Sequence, residues 1–209
     1  MIEKLACKLG RNDEMPNIEL AEHLCRQNDI AGVKEIVDGY KGTDKAVAND
    51  CIKVLYEIGK RNPDLISDYA DDFISCLRSK NNRLVWGSMM ALATIAECAS
   101  ETIYDELAVV VSVYEKGSVI TVDNSISVFA GLCKANPDYA KTILPIIINH
   151  LQKCKPREVP QHAERAAICF NNKNAEEFMK VLEERRSDLT KSQQTRINRL
   201  MKKLYSVQS

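Results

Sequence analysis

Two histidines and a cysteine near position 150 are the residues of this chain best suited to metal chemistry. His150 and Cys154 are spaced i, i+4, so a helix places them on one face, and His162 follows soon after. Imidazole nitrogen and thiolate sulfur are ligands that zinc prefers, but a structural zinc site has four ligands and no fourth is evident. We therefore expect a partly buried histidine and a small apolar cysteine here, with no metal and no other cofactor.

The other cysteines show no spacing typical of a metal or disulfide framework. The chain contains eight cysteines, none of them in a CxxC pair. In a cytosolic protein, scattered cysteines behave as small buried hydrophobic residues. We predict that these are reduced and mostly buried. They are Cys7, Cys25, Cys51, Cys76, Cys98, Cys133, Cys154 and Cys169.

Residues for other kinds of chemistry are sparse. The sequence has no glycine-rich phosphate loop and no nucleophile elbow. It contains 29 Lys and Arg and 29 Asp and Glu, whereas a dedicated nucleic-acid binder usually carries a basic excess. No apolar run reaches the roughly 18 residues of a membrane-spanning helix, and the N-terminus lacks a signal peptide. These features predict a cytoplasmic protein that is not an enzyme and has no nucleic-acid or membrane partner.

A repeat of 37 residues organises the chain. The tripeptide Asn-Pro-Asp occurs at 62–64 and again at 136–138, which is two such periods later. Core positions recur at the same interval, in one row of Ile58, Ile95, Leu132 and Cys169 and another of Leu55, Leu92, Phe129 and Ala166. A fixed period of this size is the signature of a solenoid.

Each repeat unit reads as two helices. From Pro63 to Lys80, apolar residues form one wide stripe at helical spacing, and a second helix is predicted from about Arg83 to Ala99. One unit later, Gly117 and Ser118 suit the C-cap of one helix and the N-cap of the next.

The segment "LRSKNNRLVWGSMMALATIAE" at 77–97 resembles a HEAT repeat, with Leu84, Ala91, Leu92 and Ile95 at the family's positions. The resemblance implies an all-α, right-handed α-α superhelix, a HEAT-like solenoid of about five 37-residue helical pairs plus an N-terminal half-unit. We expect one domain over 1–209, with a cap at 1–26 and helical pairs at 27–205. Val85 stands where the family has an arginine, so apolar stacking must replace an Arg–Asp ladder between repeats.

The resemblance also raises enzymatic alternatives. HEAT-like DNA glycosylases are similar in size and would make this a nucleic-acid-acting protein, but they use aromatic residues, an acid and arginines around a basic groove. This chain has one tryptophan and zero net charge. HEAT-like di-iron hydroxylases carry repeated His-Glu pairs, and none of the three histidines here precedes a glutamate. The glycosylase-like function remains the alternative to binding.

The second helices of a HEAT-like fold line a concave face, which is where we expect a partner. Trp86 and Met90 are spaced i, i+4 and form an apolar pair in rows that are otherwise polar or outside the core. Tryptophan is enriched in interface hot spots and methionine adapts to varied ligands. We predict a protein–protein interaction scaffold or adaptor that binds a protein or peptide at this pair. The flanking residues of the predicted site are Lys53, Glu97, Asp123 and Ser127.

Three features are left open by the sequence. Trp86 could be exposed, or it could be buried between repeats. The basic C-terminal segment, with Arg196, Arg199 and Lys203 on one helix side, could cap the solenoid or bind an anionic partner. The oligomeric state is not indicated.

Overall fold

The computed structural model describes residues 1–171 and 174–206, and within them it contains α-helices and 3₁₀ turns but no strand. The helices are α1 (Met15–Gln27), α2 (Ile30–Tyr40), α3 (Lys45–Gly59), α4 (Ala70–Cys76), α5 (Asn82–Ile95), α6 (Ser100–Asp105), α7 (Leu107–Lys116), α8 (Val119–Ala135), α9 (Ala140–Lys153), α10 (Val159–Ala166), α11 (Ala175–Glu184) and α12 (Lys191–Ser206). The 3₁₀ turns are Ile2–Lys4, Pro63–Leu65, Ser67–Tyr69, Pro137–Tyr139, Ala167–Cys169 and Arg185–Asp188. The predicted all-α class is confirmed.

The helices follow the predicted order of pairs. Helix α1 stands alone as the half-unit, and α2 with α3 makes the first pair. The second pair is α4 and α5, the third is α6 and α7 with α8, the fourth is α9 with α10, and the fifth is α11 with α12. The predicted caps are present, since Gly117 is the C-cap of α7 and the Ser118 hydroxyl oxygen accepts a hydrogen bond of 3.3 Å from the backbone N–H of Thr121 in α8. Side chains also cap the starts of two other helices. The Asp44 side chain accepts hydrogen bonds from the backbone N–H groups at the start of α3, and Asn81 accepts one at the start of α5.

The 37-residue rows form the core. Ile58, Ile95 and Leu132 are fully buried, and Cys169 is 5% exposed. The row of Leu55, Leu92, Phe129 and Ala166 is fully buried as well. Burial of such rows removes apolar surface from water in every unit, which is the dominant favourable term in folding.

The first helix of the second pair is shorter than the sequence predicts. Instead of one helix from Pro63 to Lys80, two 3₁₀ turns precede the seven-residue α4. Ile66 interrupts the helix with φ −126° and ψ 0°, and the Ser67 hydroxyl donates to the Asp64 carbonyl at 3.2 Å. Serine and aspartate compete locally for backbone hydrogen bonds, and this favours turns over a continuous helix.

Contacts between helices divide the chain into two compact parts, each larger than one repeat. We call Met1–Val128 the first unit and the part from Phe129 onward the second unit. In the first unit, α3 packs against α1, α2 and α5, and α4 packs against α5 and α6. In the second unit, α9 packs against α10 and α11, and α10 packs against α12. The single domain over 1–209 stays a prediction.

The cysteines are all free thiols, and their burial varies. Cys51, Cys133 and Cys169 are buried, and Cys98 is exposed. The remaining four are partly buried, so the chain holds fewer fully buried thiols than expected. Within the described residues, no helix combines the length and apolar character needed to cross a membrane.

Candidate functional site

Helices α3 and α5 of the first unit position three of the predicted partner-binding residues, Lys53, Trp86 and Met90. Helix α3 lies against α1 on one side and α5 on another. The approach of α5 to α3 requires a glycine, because a Cβ on Gly87 would lie 2.7 Å from Cγ1 of Ile52. The amide of Asn81 donates to Oδ1 of Asn49 at 2.8 Å and ties the start of α5 to α3. Trp86 is thereby held beside α3.

Trp86 forms an aromatic pair with Tyr56 of α3. The ring centroids are 6.2 Å apart and the rings are tilted by 47°. Trp86 is half-buried, while Tyr56 is only 3% exposed. The guanidinium of Arg83 lies 5.5 Å from the centre of the Trp86 ring. The ammonium groups of Lys53 and Lys60 each lie 4.9 Å from the centre of the Tyr56 ring.

Carboxylates hold these cations in place. Lys53 Nζ lies 3.0 Å from Glu14 Oε2 and 3.0 Å from Glu57 Oε1. Glu57 also binds Lys60 at 2.9 Å and Arg61 at 2.7 Å. Glu14 reaches α5 as well, since its Oε1 accepts a hydrogen bond of 2.9 Å from Arg83 Nη2. We call the set Glu14, Lys53, Tyr56, Glu57, Lys60, Arg83 and Trp86 the Trp86 surface.

The network fixes the charge state of its members. Burial opposes the ionised form of Glu57, but hydrogen bonds from Lys60, Arg61 and Lys53 outweigh it and lower the pKa of Glu57 to about 2. Burial likewise opposes the charge of Lys53, and hydrogen bonds to Glu14 and Glu57 nevertheless raise its pKa above the ordinary value. These side chains therefore stay charged across the physiological pH range.

Of the predicted site residues, Lys53 and Trp86 come together, because both contact the Tyr56 ring. The sequence placed Lys53 beside Trp86 on a concave face, where an exposed side chain is expected, but the residue is only 7% exposed. Its ion pairs with Glu14 and Glu57 offset the cost of removing the ammonium from water. Trp86 is neither fully exposed nor buried between repeats, because its ring is half-buried against Tyr56.

The remaining predicted residues lie further along α5, just after it, or on α8. Met90 is half-buried one turn beyond Trp86 on α5, and Glu97 is exposed just after that helix ends. Asp123 and Ser127 are half-buried on α8, where the Ser127 hydroxyl donates to the Asp123 carbonyl at 3.4 Å. Their participation in one site with Trp86 stays a prediction.

Five members of the Trp86 surface were not among the predicted site residues, namely Glu14, Tyr56, Glu57, Lys60 and Arg83. One of them left a detectable signal. Tyr56 stands in a row whose other members, at 37-residue intervals, are Ala93, Ala130 and Ala167. An aromatic residue in a row of alanines is the same kind of departure that singled out Trp86.

A polar cavity of about 290 Å³ adjoins the Trp86 surface and shares Glu14 and Arg83 with it. In its wall, Asp50 accepts a hydrogen bond of 2.8 Å from the backbone N–H of Cys7. Burial, together with a separate hydrogen bond between the Cys7 thiol and the Asp50 carboxylate, raises the pKa of the thiol to about 11. The other lining residues are Ala6, Arg11, Asn12, Asp13, Ala46 and Asn49.

In the second unit, the structure brings together the histidines and the cysteine singled out above. Nε2 of His150 and Nδ1 of His162 are 2.8 Å apart and share a hydrogen bond. His150 is 7% exposed and His162 is 1% exposed, and Cys154 is partly buried. Their ligand atoms all lie within 4.8 Å of one another.

No family model matches the chain, and no curated protein matches it. Among solved structures, the chain is similar to a designed armadillo repeat protein in complex with the peptide (KR)4. The TM-score is 0.69 at 12% identity, over 87% of this chain and 84% of that one. A second designed armadillo repeat protein gives a TM-score of 0.69 at 12% identity, over 98% of this chain and 100% of that chain. An engineered protein gives 0.65 at 18% identity, over 98% of this chain and 58% of that one.

These likenesses concern the fold, because the sequence identities are low. They agree with the all-α helical pairs and with the 37-residue rows that fill the core. The chain has the fold of HEAT/armadillo-like repeat proteins.

Proposed function

We propose that this chain is a cytoplasmic protein-interaction scaffold without enzymatic activity, and that a protein or peptide partner docks on the Trp86 surface. The observation that carries the proposal is the half-exposed Trp86 ring, held against Tyr56 and Arg83 in a charged frame. Tryptophan and arginine are enriched among interface hot spots. A rigid aromatic anchor offers contact area at a small cost in side-chain entropy.

The charges around Trp86 favour a protein partner over a phosphate backbone. Lys53, Lys60 and Arg83 are each paired with a carboxylate of Glu14 or Glu57. A nucleic-acid groove gains affinity from cations that neutralise phosphates, whereas these cations are already neutralised. A peptide with an apolar side chain between mixed charges suits the surface better.

Two further considerations support a peptide-like ligand. Helical-repeat folds present extended surfaces rather than deep pockets, and binding is their common use. One similar designed protein holds the peptide (KR)4. Met90, Glu97, Asp123 and Ser127 would extend contact along the same layer, as the sequence predicts.

Selection of peptides tests this proposal. The immobilised full chain would be screened against a displayed library of random peptides, and the affinity of enriched peptides would be measured for wild type and Trp86→Ala. We expect Trp86→Ala to weaken binding by about 2 kcal/mol or more, roughly 30-fold in Kd. Trp86→Phe should retain part of the affinity, and Lys141→Ala, an exposed site in the second unit, should retain all of it.

The proposal fails if the enriched peptides bind wild type and Trp86→Ala equally. It also fails if the library yields no binder while a random-sequence nucleic acid binds the chain with the salt dependence typical of phosphate contacts.

A further inference from the structure

The cluster of His150, Cys154 and His162 is unrelated to the Trp86 surface and has the composition of a metal site. It is the one group of three or more metal-ligating side chains found within the described residues. His150 lies in the last turn of α9, and Cys154 is the C-cap of that helix. His162 lies in the second turn of α10, which follows after a short loop. The three groups therefore lie on both sides of the turn between the two helices.

Neighbouring contacts hold this turn in shape. Arg185 donates hydrogen bonds to the Leu151 carbonyl and, at 2.8 Å, to the Cys154 carbonyl. The backbone N–H of Cys154 donates to the His150 carbonyl at 2.8 Å. Glu158 Oε2 accepts from the backbone N–H of Lys155 at 3.2 Å and closes the loop. A ligand set held by its surroundings pays less to assemble around an ion.

We propose that His150 Nε2, His162 Nδ1 and Cys154 Sγ bind a zinc ion, with a fourth ligand from solvent. Zinc takes nitrogen and sulfur ligands in a tetrahedral arrangement, and three protein ligands with one open position are a known pattern. No fourth protein ligand is evident in the sequence, and this geometry does not require one from the protein. Cys154 is the partly exposed member, so the ion and its solvent ligand enter from that side.

The distances require only small movements. Zinc bonds of about 2.0–2.1 Å to nitrogen and about 2.3 Å to sulfur place ligand atoms roughly 3.3–3.6 Å apart. The two imidazole nitrogens, now 2.8 Å apart, would separate slightly, and the sulfur would move inward from at most 4.8 Å. Both rings must also rotate, because two nitrogens that share a hydrogen bond point at each other and not at a common ion.

Zinc binding changes the protonation of the cluster. In the metal-free protein, one of the two facing imidazole nitrogens carries the proton of the shared hydrogen bond. On binding, that ring changes tautomer, so that the proton sits on its other nitrogen and both facing nitrogens coordinate zinc. The Cys154 thiol loses its proton and binds as thiolate. Each zinc therefore releases one proton, apart from any carried by a histidine that was charged beforehand.

Metal titration of the full chain tests the proposal. The protein would be stripped with EDTA, dialysed and titrated with Co²⁺, whose thiolate complexes show charge-transfer absorption and whose tetrahedral complexes show strong visible bands. We expect one Co²⁺ per chain, displaced by one Zn²⁺. Cys154→Ser should abolish the charge-transfer band, and it and His162→Gln should weaken zinc by at least about 10–100-fold, which is the cost of losing even an outer partner of a zinc ligand.

Matched controls separate this site from adventitious binding. Cys98→Ser removes the exposed thiol, and His23→Gln removes the histidine of the first unit; both should bind zinc like wild type. Absence of stoichiometric metal from wild type would overturn the proposal, as would binding that survives Cys154→Ser or is lost in Cys98→Ser. If His162→Gln does not fold by circular dichroism, Cys154→Ser, a near-isosteric change at a partly exposed position, decides the matter.

Discussion

The first unit fills one interior position of the repeat with small groups. Gly39 faces Cys51 across a helical pair, since a Cβ on Gly39 would lie 2.9 Å from the Cys51 sulfur. One period later, Cys76 and Ser88 occupy the equivalent positions. The hydroxyl of Tyr40 bridges them, sharing a hydrogen bond of 2.7 Å with Ser88 Oγ and forming another with the Cys76 thiol.

The second unit fills the same position with two imidazole rings. His150 and His162 follow Cys76 and Ser88 by two periods each, and they bond to each other directly. Cys154 adds a thiol at the end of the same turn. The repeat thus dictates that the two positions face each other across the helical pair, but it does not dictate the chemistry placed there. Departures from the row are therefore where function is to be sought, as with Trp86 on the surface.

The largest expected effect comes from deleting the buried side chain of Tyr40 in the first unit. Tyr40 is 1% exposed and packs against Phe73 with ring centroids 5.8 Å apart. Tyr40→Ala should destabilise the fold by about 3–5 kcal/mol, the usual cost of deleting a buried aromatic ring. Tyr40→Phe keeps the ring and should cost about 1 kcal/mol for the lost hydrogen bond. Urea unfolding of both variants measures the difference, and a Tyr40→Phe variant as stable as wild type would contradict the bridging role.

For the histidine pair, we expect a single substitution to lower the free energy of unfolding more than the double substitution does. His162→Leu leaves His150 Nε2 without its hydrogen-bond partner in a buried site and should cost about 1–3 kcal/mol. Changing both histidines to leucine removes the polar pair together and should cost less than the single change. Unfolding is measured in EDTA, so that bound metal does not contribute. A double variant that loses the sum of both single losses would show that the pair is not coupled.

Trp86→Ala should have a smaller effect on stability. An aromatic pair contributes about 0.5–1.5 kcal/mol and an exposed cation–π contact about 0.5–1 kcal/mol. The expected loss is therefore about 1–2 kcal/mol, below that for Tyr40→Ala, because Trp86 is only half-buried. A thermal melt gives this value directly. A loss as large as that of Tyr40→Ala would mean that Trp86 is a core residue and no anchor.

The smallest effect concerns pH. The pKa of Glu57 is lowered to about 2 from an ordinary 4.5, so its contribution to stability is complete above pH 4.5 and is lost as the pH falls toward 2. Glu57→Gln should flatten the melting temperature in this window and cost about 1 kcal/mol or less at neutral pH, since part of the network faces solvent. An unchanged acid dependence in Glu57→Gln would remove the network from the account.

The repeat made the fold predictable, because the rows report burial directly. Leu92 and Ile95 were placed in the core by their period, and both are fully buried. The site was less predictable. Comparing residues at 37-residue intervals shows which positions are buried, but it does not show which residues of different rows are in contact. Glu14 reaches Arg83 only because α1, α3 and α5 lie side by side. Likewise, the fold-back of α10 onto α9 puts His162 against His150, and spacing in the sequence does not give that distance.

Trp86 fluorescence tests directly whether a peptide docks on the Trp86 surface, because the chain contains one tryptophan and its emission reports on this surface alone. A peptide without tryptophan, selected against the full chain, would be titrated while emission and binding are followed separately. If the peptide docks on the Trp86 surface, the emission should shift to shorter wavelength as the ring is desolvated, and the midpoint of the titration should equal the independently measured Kd. An emission spectrum that stays constant while the peptide saturates the protein would show that the peptide binds elsewhere.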